Sequence, residues 1–203
     1  MKIICIGRNY SEHIKELNNK QTEYPVFFLK PDTALIQKHM PFFIPPFSKL
    51  IHYEVEIVLK ICKVGKHIQT KFAHTYYDSI GLGIDFTARD IQNQCKKLGL
   101  PWEAAKAFDF SAPVSQFFLK SKFQDINSLS FSLKKNDEIV QNGNTSEMIF
   151  SFDEIIAHVS KYITLKTGDY IFTGTPSGVG QVLPNDILTG FIEDKQVLQV
   201  KIK

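Results

Sequence analysis

The stretch Ile51-His-Tyr-Glu-Val-Glu-Ile-Val-Leu-Lys60 places two acids, Glu54 and Glu56, inside an otherwise apolar run. Alternate residues of a strand point to the same face, so the two carboxylates are expected to lie side by side. Burying adjacent carboxylates is unfavourable unless they share a proton, find cationic partners or bind a metal ion. The stretch therefore predicts a buried strand that needs positive charge close to it.

A third acid, Asp85, stands where a second apolar strand gives way to a polar turn and a helix, in Ser79-Ile-Gly-Leu-Gly-Ile-Asp-Phe-Thr-Ala-Arg-Asp90. Three hard oxygen ligands on neighbouring strands suit magnesium, manganese or calcium. The alternative is that the acids face solvent on an edge strand or pair with Lys60, Lys63 and Arg89. The residues alone leave both interpretations open.

The composition is that of an ordinary globular protein. The chain has 203 residues, 43% hydrophobic and 22% charged, with 17 phenylalanines that predict a large aromatic core. No linker-like stretch divides it, so we predict a single domain over residues 1–203. A net charge of +3 without a long basic run argues against nucleic acid as the main partner.

The first residues predict neither export nor membrane insertion. Their apolar run is too short for a signal peptide, and no later stretch is long enough to span a bilayer, so we predict a cytoplasmic protein without a membrane partner. The cysteines Cys5, Cys62 and Cys95 are odd in number and lack close Cys/His spacing. They fit neither a disulfide framework nor a zinc site and are expected to be reduced thiols.

Local patterns predict an α+β, β-rich fold with more sheet than helix. The predicted strands are Lys2–Gly7, Val26–Lys30, 54–61, 79–86, Leu129–Lys135, Glu138–Gln141, Tyr170–Thr173, Asp186–Ile192 and Val197–Ile202. The predicted helices are one capped by Asn9 or Ser11 and running to about Leu17, a short one within Lys71–Asp78, Arg89–Leu98 closed by Gly99, and one that follows the capping box Ser151–Glu154 to about Tyr162. Three prolines predict an extended loop over Met40–Ser48, and Asn136-Asp137 predicts a hairpin turn.

Short motifs spread along the chain carry a resemblance. They are Gly7-Arg-Asn-Tyr10, Phe28-Leu-Lys-Pro31, His52-Tyr-Glu-Val-Glu56, Asp85-Phe-Thr-Ala-Arg-Asp90, Gly99-Leu-Pro-Trp102, Lys106-Ala-Phe-Asp109, Met148-Ile-Phe150 and Thr173-Gly-Thr-Pro-Ser-Gly-Val-Gly180. In this order they resemble the single-domain, FAHD1-like acylpyruvase group of the fumarylacetoacetate hydrolase family. The resemblance implies a mixed β-sandwich or β-roll with peripheral helices, as in the C-terminal domain of that family, and a homodimer. It also implies Mg²⁺ or Mn²⁺, with Ca²⁺ as a substitute in crystals, held by Glu54, Glu56 and Asp85.

His13 and Glu16 are three residues apart and share one face of the predicted helix, so the carboxylate could orient the imidazole. Without context, such a pair belongs more often to a solvated helix face. In similar proteins this helix belongs to a mobile lid, here about residues 9–20. The resemblance implies that His13 is the general base and that Glu16 holds its tautomer.

The resemblance assigns further side chains to the site. Lys106 would stabilise the developing enolate or oxyanion, although a lysine after Trp102 could simply be a surface residue. Gln92 would orient the substrate, and Arg8 and Lys30 would contact its negative charge. Thr175 lies in a Gly-rich stretch that lacks the Gly-Lys-Ser/Thr ending of a phosphate loop, and in the family this turn lines the site.

Taken together, the residues and the resemblance imply a metal-dependent enzyme that acts on small 2-oxo carboxylates. The main hypothesis is hydrolysis of a C–C bond in acylpyruvate-type 2,4-dioxo acids to pyruvate and a carboxylic acid. The alternatives are oxaloacetate decarboxylation or tautomerisation and 2-hydroxyhepta-2,4-diene-1,7-dioate isomerisation, because these reactions share a metal-enolate step. A non-catalytic β-rich interaction protein with a structural cation is a further alternative, which the set His13, Glu16 and Lys106 disfavours.

Overall fold

Thirteen strands are present in the computed structural model, which describes residues 1–17, 20–36 and 40–203. In chain order they are β1 (Ile3–Gly7), β2 (Val26–Lys30), β3 (Ile51–Tyr53), β4 (Val55–Ile61), β5 (Tyr77–Ile84), β6 (Thr87–Ala88), β7 (Phe118–Leu119), β8 (Ser130–Lys135), β9 (Glu138–Asn144), β10 (Tyr170–Phe172), β11 (Gly180–Gln181), β12 (Ile187–Ile192) and β13 (Lys195–Lys201). The same residues contain four short 3₁₀-helices and five α-helices. The α-helices are α1 (Ser11–Glu16), α2 (Thr70–Ala73), α3 (Arg89–Leu98), α4 (Glu103–Lys106) and α5 (Phe152–Tyr162). The predicted α+β, β-rich class is confirmed.

The strands form three sheets. The largest has the order β2-β1-β10-β4-β5-β7, with β1 parallel to β10 and the other neighbours antiparallel. A three-stranded sheet has the order β11-β3-β6, and a four-stranded sheet has the order β13-β12-β8-β9. The interior position of β4 explains its nearly continuous apolar sequence, because both of its faces are covered and only Lys60 is partly exposed.

The main hydrophobic core lies between the largest and the four-stranded sheets. It contains Leu82 from β5, Leu133 from β8 and Leu198 from β13, and Ile155 from α5 belongs to it as well. β12 approaches β5 so closely that a Cβ on Gly190 would lie 2.6 Å from Leu82 Cδ2. The two sheets therefore pack face to face with very little space between them, as in a β-sandwich.

Several local predictions are confirmed. α3 occupies the predicted residues and ends at Gly99, whose φ of 67° is left-handed as a C-terminal glycine requires. α5 follows a complete capping box between Ser151 and Glu154. The β8–β9 hairpin turns through Asn136 and Asp137, which both have positive φ, 51° and 72°. Asparagine and aspartate tolerate that conformation, so the turn forms without glycine.

Other predictions were wrong in detail. Neither Asn9 nor Ser11 caps α1, because Tyr10 occupies the N-cap position without a side-chain hydrogen bond. The Asn9 side chain instead contacts Phe150 and Thr173. The predicted helix within 71–78 is limited to α2, since β5 already begins at Tyr77. Two residues of the predicted lid, Asn18 and Asn19, lie outside the described residues.

Within residues 1–17, 20–36 and 40–203, none of the helices combines the length and the apolar character that a membrane span requires.

Candidate active site

Three acids meet at the point where the chain passes between two sheets. Glu54 lies between β3 and β4, which belong to different sheets, so the single strand predicted from 54 to 61 begins one residue later. Val55 pairs with Ile84, and Asp85 directly beyond donates its amide to the Glu54 carbonyl at 2.8 Å. Glu54 and Asp85 are therefore cross-strand neighbours. The ligand atoms of Glu54, Glu56 and Asp85 all lie within 4.8 Å of one another, and all three side chains are buried.

Buried cations surround the acids. Lys106 Nζ lies 2.7 Å from Glu54 Oε2 and 2.7 Å from Asp85 Oδ2, and it donates to the Thr87 hydroxyl at 2.6 Å. Lys30 Nζ lies 2.8 Å from Asp85 Oδ1, and Arg89 forms an ion pair with Glu54. The three acids are thus buried rather than exposed on an edge strand, and the neighbouring cations offset part of their negative charge.

The three cations that the sequence suggested as alternative partners of the acids have different contacts in the structure. Arg89 does pair with Glu54, whereas Lys60 and Lys63 lie over the rings of Phe117 and Tyr76. Lys30 is completely buried and also donates to the Ser111 hydroxyl at 2.8 Å. Its contacts in the described part of the chain hold Asp85 in place, and its predicted contact with substrate stays a prediction.

The two glutamates have opposite electrostatics. Burial raises the pKa of Glu54, but Lys106 and Arg89 outweigh burial and hold that pKa well below its usual range. Burial raises the pKa of Glu56, and the neighbouring carboxylates of Asp85 and Glu54 raise it further. The contact the structure gives Glu56 is a backbone hydrogen bond, from the Gly174 amide at 2.7 Å. Glu56 therefore lacks the positive charge that its partners have, and a cation beside it would supply that charge.

The donor set fits a divalent metal ion. When several oxygen atoms bind one Mg²⁺ or Ca²⁺ ion, each lies about 2.0 to 2.6 Å from it, so any two of them are at most about 5 Å apart. The ligand atoms of Glu54, Glu56 and Asp85 meet this limit. All three donors are carboxylates, the chemistry that hard divalent cations prefer. Asp85 Oδ1 is buried, and the partner the structure gives it is Lys30 Nζ at 2.8 Å. Glu54, Glu56 and Asp85 could therefore hold the ion, and their assignment as ligands stays a prediction.

His13 and Glu16 are paired in the structure. His13 Nδ1 lies 3.1 Å from Glu16 Oε2, and His13 is buried although α1 is a short surface helix. The Gly178 amide donates to Glu16 Oε1 at 3.0 Å. Burial raises the pKa of Glu16, but the hydrogen bonds from His13 and Gly178 lower it below its usual value. Glu16 is thus an ionised acceptor that fixes the His13 ring, as the predicted dyad requires.

The Gly-rich stretch from Thr173 to Gly180 binds carboxylates of the protein itself. The amide of Gly174 donates to Glu56, and the amide of Gly178 donates to Glu16. Both glycines have positive φ, 104° and 95°. A Cβ on Gly178 would lie 2.2 Å from the Val140 carbonyl oxygen, so only glycine fits.

Most of the predicted site residues line one cavity. Its free volume is about 30 Å³, well below the roughly 300–1,000 Å³ that is usual for small-molecule sites, because the side chains of its walls lie close to the acids. Its walls include the three acids together with Arg8, His13, Gln92, Lys106 and Thr175. Gln92 accepts a hydrogen bond from Arg89, and the Thr175 hydroxyl accepts one from Gln141 at 2.9 Å. Glu16 and Lys30 support these walls through their contacts with His13 and Asp85.

The sequence analysis named Arg89 as a possible partner of the acids but assigned it no functional role. It also lines the cavity, and its guanidinium joins Glu54, Gln92 and His52. Burial lowers the pKa of His52 to about 4, and the charge of Arg89 contributes to this, so His52 is a neutral acceptor at Nδ1. The signal in the sequence was the position of Arg89 at the start of α3, four residues after Asp85 and therefore close to the predicted cluster of acids.

The family model for the C-terminal domain of fumarylacetoacetate hydrolase matches residues 2–203. The chain belongs to this family. It is 44% identical over 201 residues to the mitochondrial oxaloacetate tautomerase FAHD1 of Mus musculus, covering 99% of this chain and 91% of the relative. It is also 42% identical over 200 residues to the mitochondrial oxaloacetate decarboxylase of Dictyostelium discoideum, covering 96% of this chain and 92% of the relative.

A solved structure of a family member agrees over the whole chain. The crystal structure of fumarylpyruvate hydrolase from Pseudomonas aeruginosa in complex with Mn²⁺ and pyruvate has a TM-score of 0.94 and 32% sequence identity. The match covers 100% of this chain and 89% of that chain. The implied membership in the fumarylacetoacetate hydrolase family is confirmed, and with it the interpretation of the chain as a family enzyme.

Proposed function

We propose that this protein interconverts the keto and enol forms of oxaloacetate or a closely similar 2-oxo dicarboxylate. The observation that carries the proposal is the juxtaposition, in one cavity, of a buried triad of carboxylates, the ammonium group of Lys106 and the His13–Glu16 pair. The high identity to an oxaloacetate tautomerase over almost the whole chain supports the choice of substrate.

The proton transfers can be assigned to protein atoms. Glu16 accepts a hydrogen bond from His13 Nδ1, so the neutral ring presents its Nε2 lone pair as a base. His13 Nε2 would take a proton from the carbon next to the 2-oxo group, and the C–H electron pair would form the enolate. His13 would then deliver the proton to the enolate oxygen, which gives the enol, and the reverse steps would give the keto form. Glu16 stabilises the imidazolium during this exchange.

Lys106 holds the negative charge that develops on the oxygen. Its Nζ already contacts Glu54 and Asp85, so the ammonium is fixed beside the carboxylates before substrate binds. Burial lowers the pKa of Lys106, but Asp85 and Glu54 outweigh burial and raise the pKa above its usual value. Lys106 is therefore a fixed cation rather than a proton donor.

Glu54, Glu56 and Asp85 would hold Mg²⁺ or Mn²⁺. When bound there, the ion would polarise the 2-oxo group as a Lewis acid. The Mn²⁺ in the structure of the Pseudomonas aeruginosa fumarylpyruvate hydrolase supports the choice of a divalent ion.

Hydrolysis of acylpyruvates is the second candidate. The similarity to a fumarylpyruvate hydrolase favours it, and the same His13–Glu16 pair could activate a water molecule. In that reaction the C–C bond next to the distal carbonyl breaks, and Lys106 stabilises the pyruvate enolate that leaves.

Two assays separate the two reactions. We expect the purified protein with Mg²⁺ or Mn²⁺ to accelerate the decay of the ultraviolet absorbance of enol-oxaloacetate. The Glu56→Gln variant should lose this activity, and Lys97→Gln, which alters an exposed residue of α3, should keep it. Release of pyruvate from acetylpyruvate, measured with lactate dehydrogenase, would favour the hydrolase. If the protein shows neither activity with any divalent metal ion, both proposed functions are wrong.

The expected homodimer and cytoplasmic location stay proposals. The relatives include mitochondrial proteins, so similarity does not choose a compartment. Analytical ultracentrifugation would measure the oligomeric state directly.

A further inference from the structure

The ammonium group of Lys106 joins two of the three acids. Its Nζ lies 2.7 Å from Glu54 Oε2 and 2.7 Å from Asp85 Oδ2, and the Thr87 hydroxyl accepts from it at 2.6 Å. These three acceptors use all three hydrogens of an ammonium group. Lys106 therefore bridges two of the side chains that are predicted to hold a divalent ion.

The other oxygens of these two acids have other partners. Arg89 forms an ion pair with Glu54 Oε1, and Lys30 Nζ lies 2.8 Å from Asp85 Oδ1. Each of these cations contacts one acid of the pair, whereas Lys106 contacts both. An ion that binds both acids would therefore use the oxygens that Lys106 contacts, Glu54 Oε2 and Asp85 Oδ2.

Two cations on this pair of oxygens would lie very close to each other. A bound Mg²⁺ or Ca²⁺ ion lies about 2.0 to 2.6 Å from a ligand oxygen, and Lys106 Nζ lies 2.7 Å from the same atoms, so the two cations would be at most about 5 Å apart. The free volume of the cavity is only about 30 Å³, which leaves little room for water that would screen the charges. Like charges at this separation in a buried site repel each other strongly.

Glu56 favours a divalent ion over the ammonium group. Its ligand atom lies within 4.8 Å of those of Glu54 and Asp85, and the contact the structure gives it is the hydrogen bond from the Gly174 amide. A divalent ion would bind three carboxylates with two positive charges, where Lys106 contacts two carboxylates with one. Because the exchange increases both the charge and the number of carboxylate ligands, the ion should take these oxygens from Lys106.

Lys106 has partners inside the cavity besides the acids. The Thr87 hydroxyl is one, and the ring of Phe28, whose centroid lies 5.2 Å from Nζ, is another. A cation is attracted to the face of an aromatic ring, and both Phe28 and Lys106 line the cavity. The ammonium group can therefore leave the carboxylates and still remain charged within the site.

We propose that Lys106 and the divalent ion compete for Glu54 Oε2 and Asp85 Oδ2, so that binding of the ion displaces the ammonium group from the acids and frees it for the substrate. The inference rests on the proposed function, in which the triad holds the ion and Lys106 stabilises negative charge on the substrate oxygen. Lys106 thus has two successive roles, first as the counter-ion of the acids and then as a partner of the substrate.

The Mn²⁺ affinities of the wild type and of Lys106→Met, measured by titration calorimetry, test the competition. Methionine cannot compete for the acids, so the variant should bind Mn²⁺ about 10- to 100-fold more tightly, as expected when hydrogen bonds of a charged group no longer have to be broken. Lys30→Met is the matched control for charge, because it removes another buried cation beside Asp85 but leaves Lys106 on the shared oxygens. It should bind Mn²⁺ no more than about 2-fold more tightly than the wild type.

Mn²⁺ binding by Lys106→Met that is no tighter than wild-type binding, including no binding by either protein, would overturn the competition. Equal tightening in Lys106→Met and Lys30→Met would also overturn it, because the loss of any nearby positive charge would then explain the effect. Circular dichroism shows whether each variant is folded.

A crystal structure of the Mn²⁺-loaded wild type decides the question even if a variant does not fold. Lys106 Nζ should lie beyond hydrogen-bond distance of both Glu54 Oε2 and Asp85 Oδ2, and retention of either contact would overturn the competition. The oxaloacetate assay on the wild type is separate. Tighter Mn²⁺ binding by Lys106→Met without wild-type turnover removes the proposed reaction and keeps the competition, whereas turnover with equal Mn²⁺ affinities removes the competition alone.

Discussion

Replacing Lys106 by methionine should make the stability of the protein depend on metal. The Lys106 ammonium is completely enclosed and contacts Glu54 and Asp85 at 2.7 Å each. Methionine keeps most of the side-chain volume but removes the charge, so two buried carboxylates lose a shared partner. Arg89 and Lys30 remain beside them and limit the loss.

The size of the effect follows from these contacts. Removing one partner of a buried ion pair costs about 3–5 kcal/mol, because the remaining charge is left without compensation. For a chain of this length, 1 kcal/mol corresponds to about 2–4 °C, so the metal-free variant should unfold roughly 6–20 °C below the wild type. The loss should shrink as the pH falls, because protonation of a carboxylate removes the unpaired charge. A divalent ion bound to the triad would supply the missing charge and restore much of the difference.

Thermal unfolding of wild type, Lys106→Met and Lys97→Met, each with a chelator and with excess Mg²⁺, measures the effect. Lys97 is exposed on α3, so its variant should resemble the wild type in both conditions. The electrostatic account of the site predicts a difference of at least about 6 °C between the two metal-free proteins in the same buffer. A metal-free Lys106→Met protein that unfolds within about 2 °C of the metal-free wild type would refute that account.

Three further results are expected. His13→Ala should lower kcat for oxaloacetate by about 100- to 10,000-fold with little change in unfolding temperature, because a general base is lost; a change in KM alone would contradict this. Gly178→Ala should destabilise the protein by at least about 1–3 kcal/mol in urea unfolding, since its backbone has φ 95° and the new Cβ would meet the Val140 carbonyl. Burial raises the pKa of Asp90, but hydrogen bonds from Ser48 and backbone amides lower it below the usual 3.8. The stability advantage of wild type over Asp90→Asn should therefore be complete above about pH 5 and disappear as the pH falls below 3.8; a pH-independent difference would argue against it.

Local sequence signals were sufficient where the interaction that decides the structure is itself local. α5 follows from the Ser151–Glu154 capping box, and the β8–β9 turn follows from Asn136-Asp137. α1 was different. Asn9 resembles a cap residue in sequence, but partners more than a hundred residues away, Phe150 and Thr173, bind its side chain. No local pattern could reveal that competition.

The proximity of Glu54 and Glu56 was predicted correctly, but strand alternation explains only part of it. Strand alternation predicted that Glu54 and Glu56 are neighbours, and the structure does bring them together. However, Glu54 lies at the junction of two sheets, where the position of Asp85 opposite it depends on the pairing of β4 with β5. Arg89 was named only as a possible partner of the acids, because its contacts with Gln92 and His52 depend on how α3 packs.

Binding of Mn²⁺ tests the central claim most directly, since Glu54, Glu56 and Asp85 are held to be ligands of one divalent ion. Titration calorimetry should show a single Mn²⁺ per chain in the wild type, at least about 10-fold weaker binding in Asp85→Asn and in Glu56→Gln, and unchanged binding in Lys97→Gln. Wild-type protein that binds no Mn²⁺, or Asp85→Asn protein that binds it as tightly as the wild type, would contradict the account.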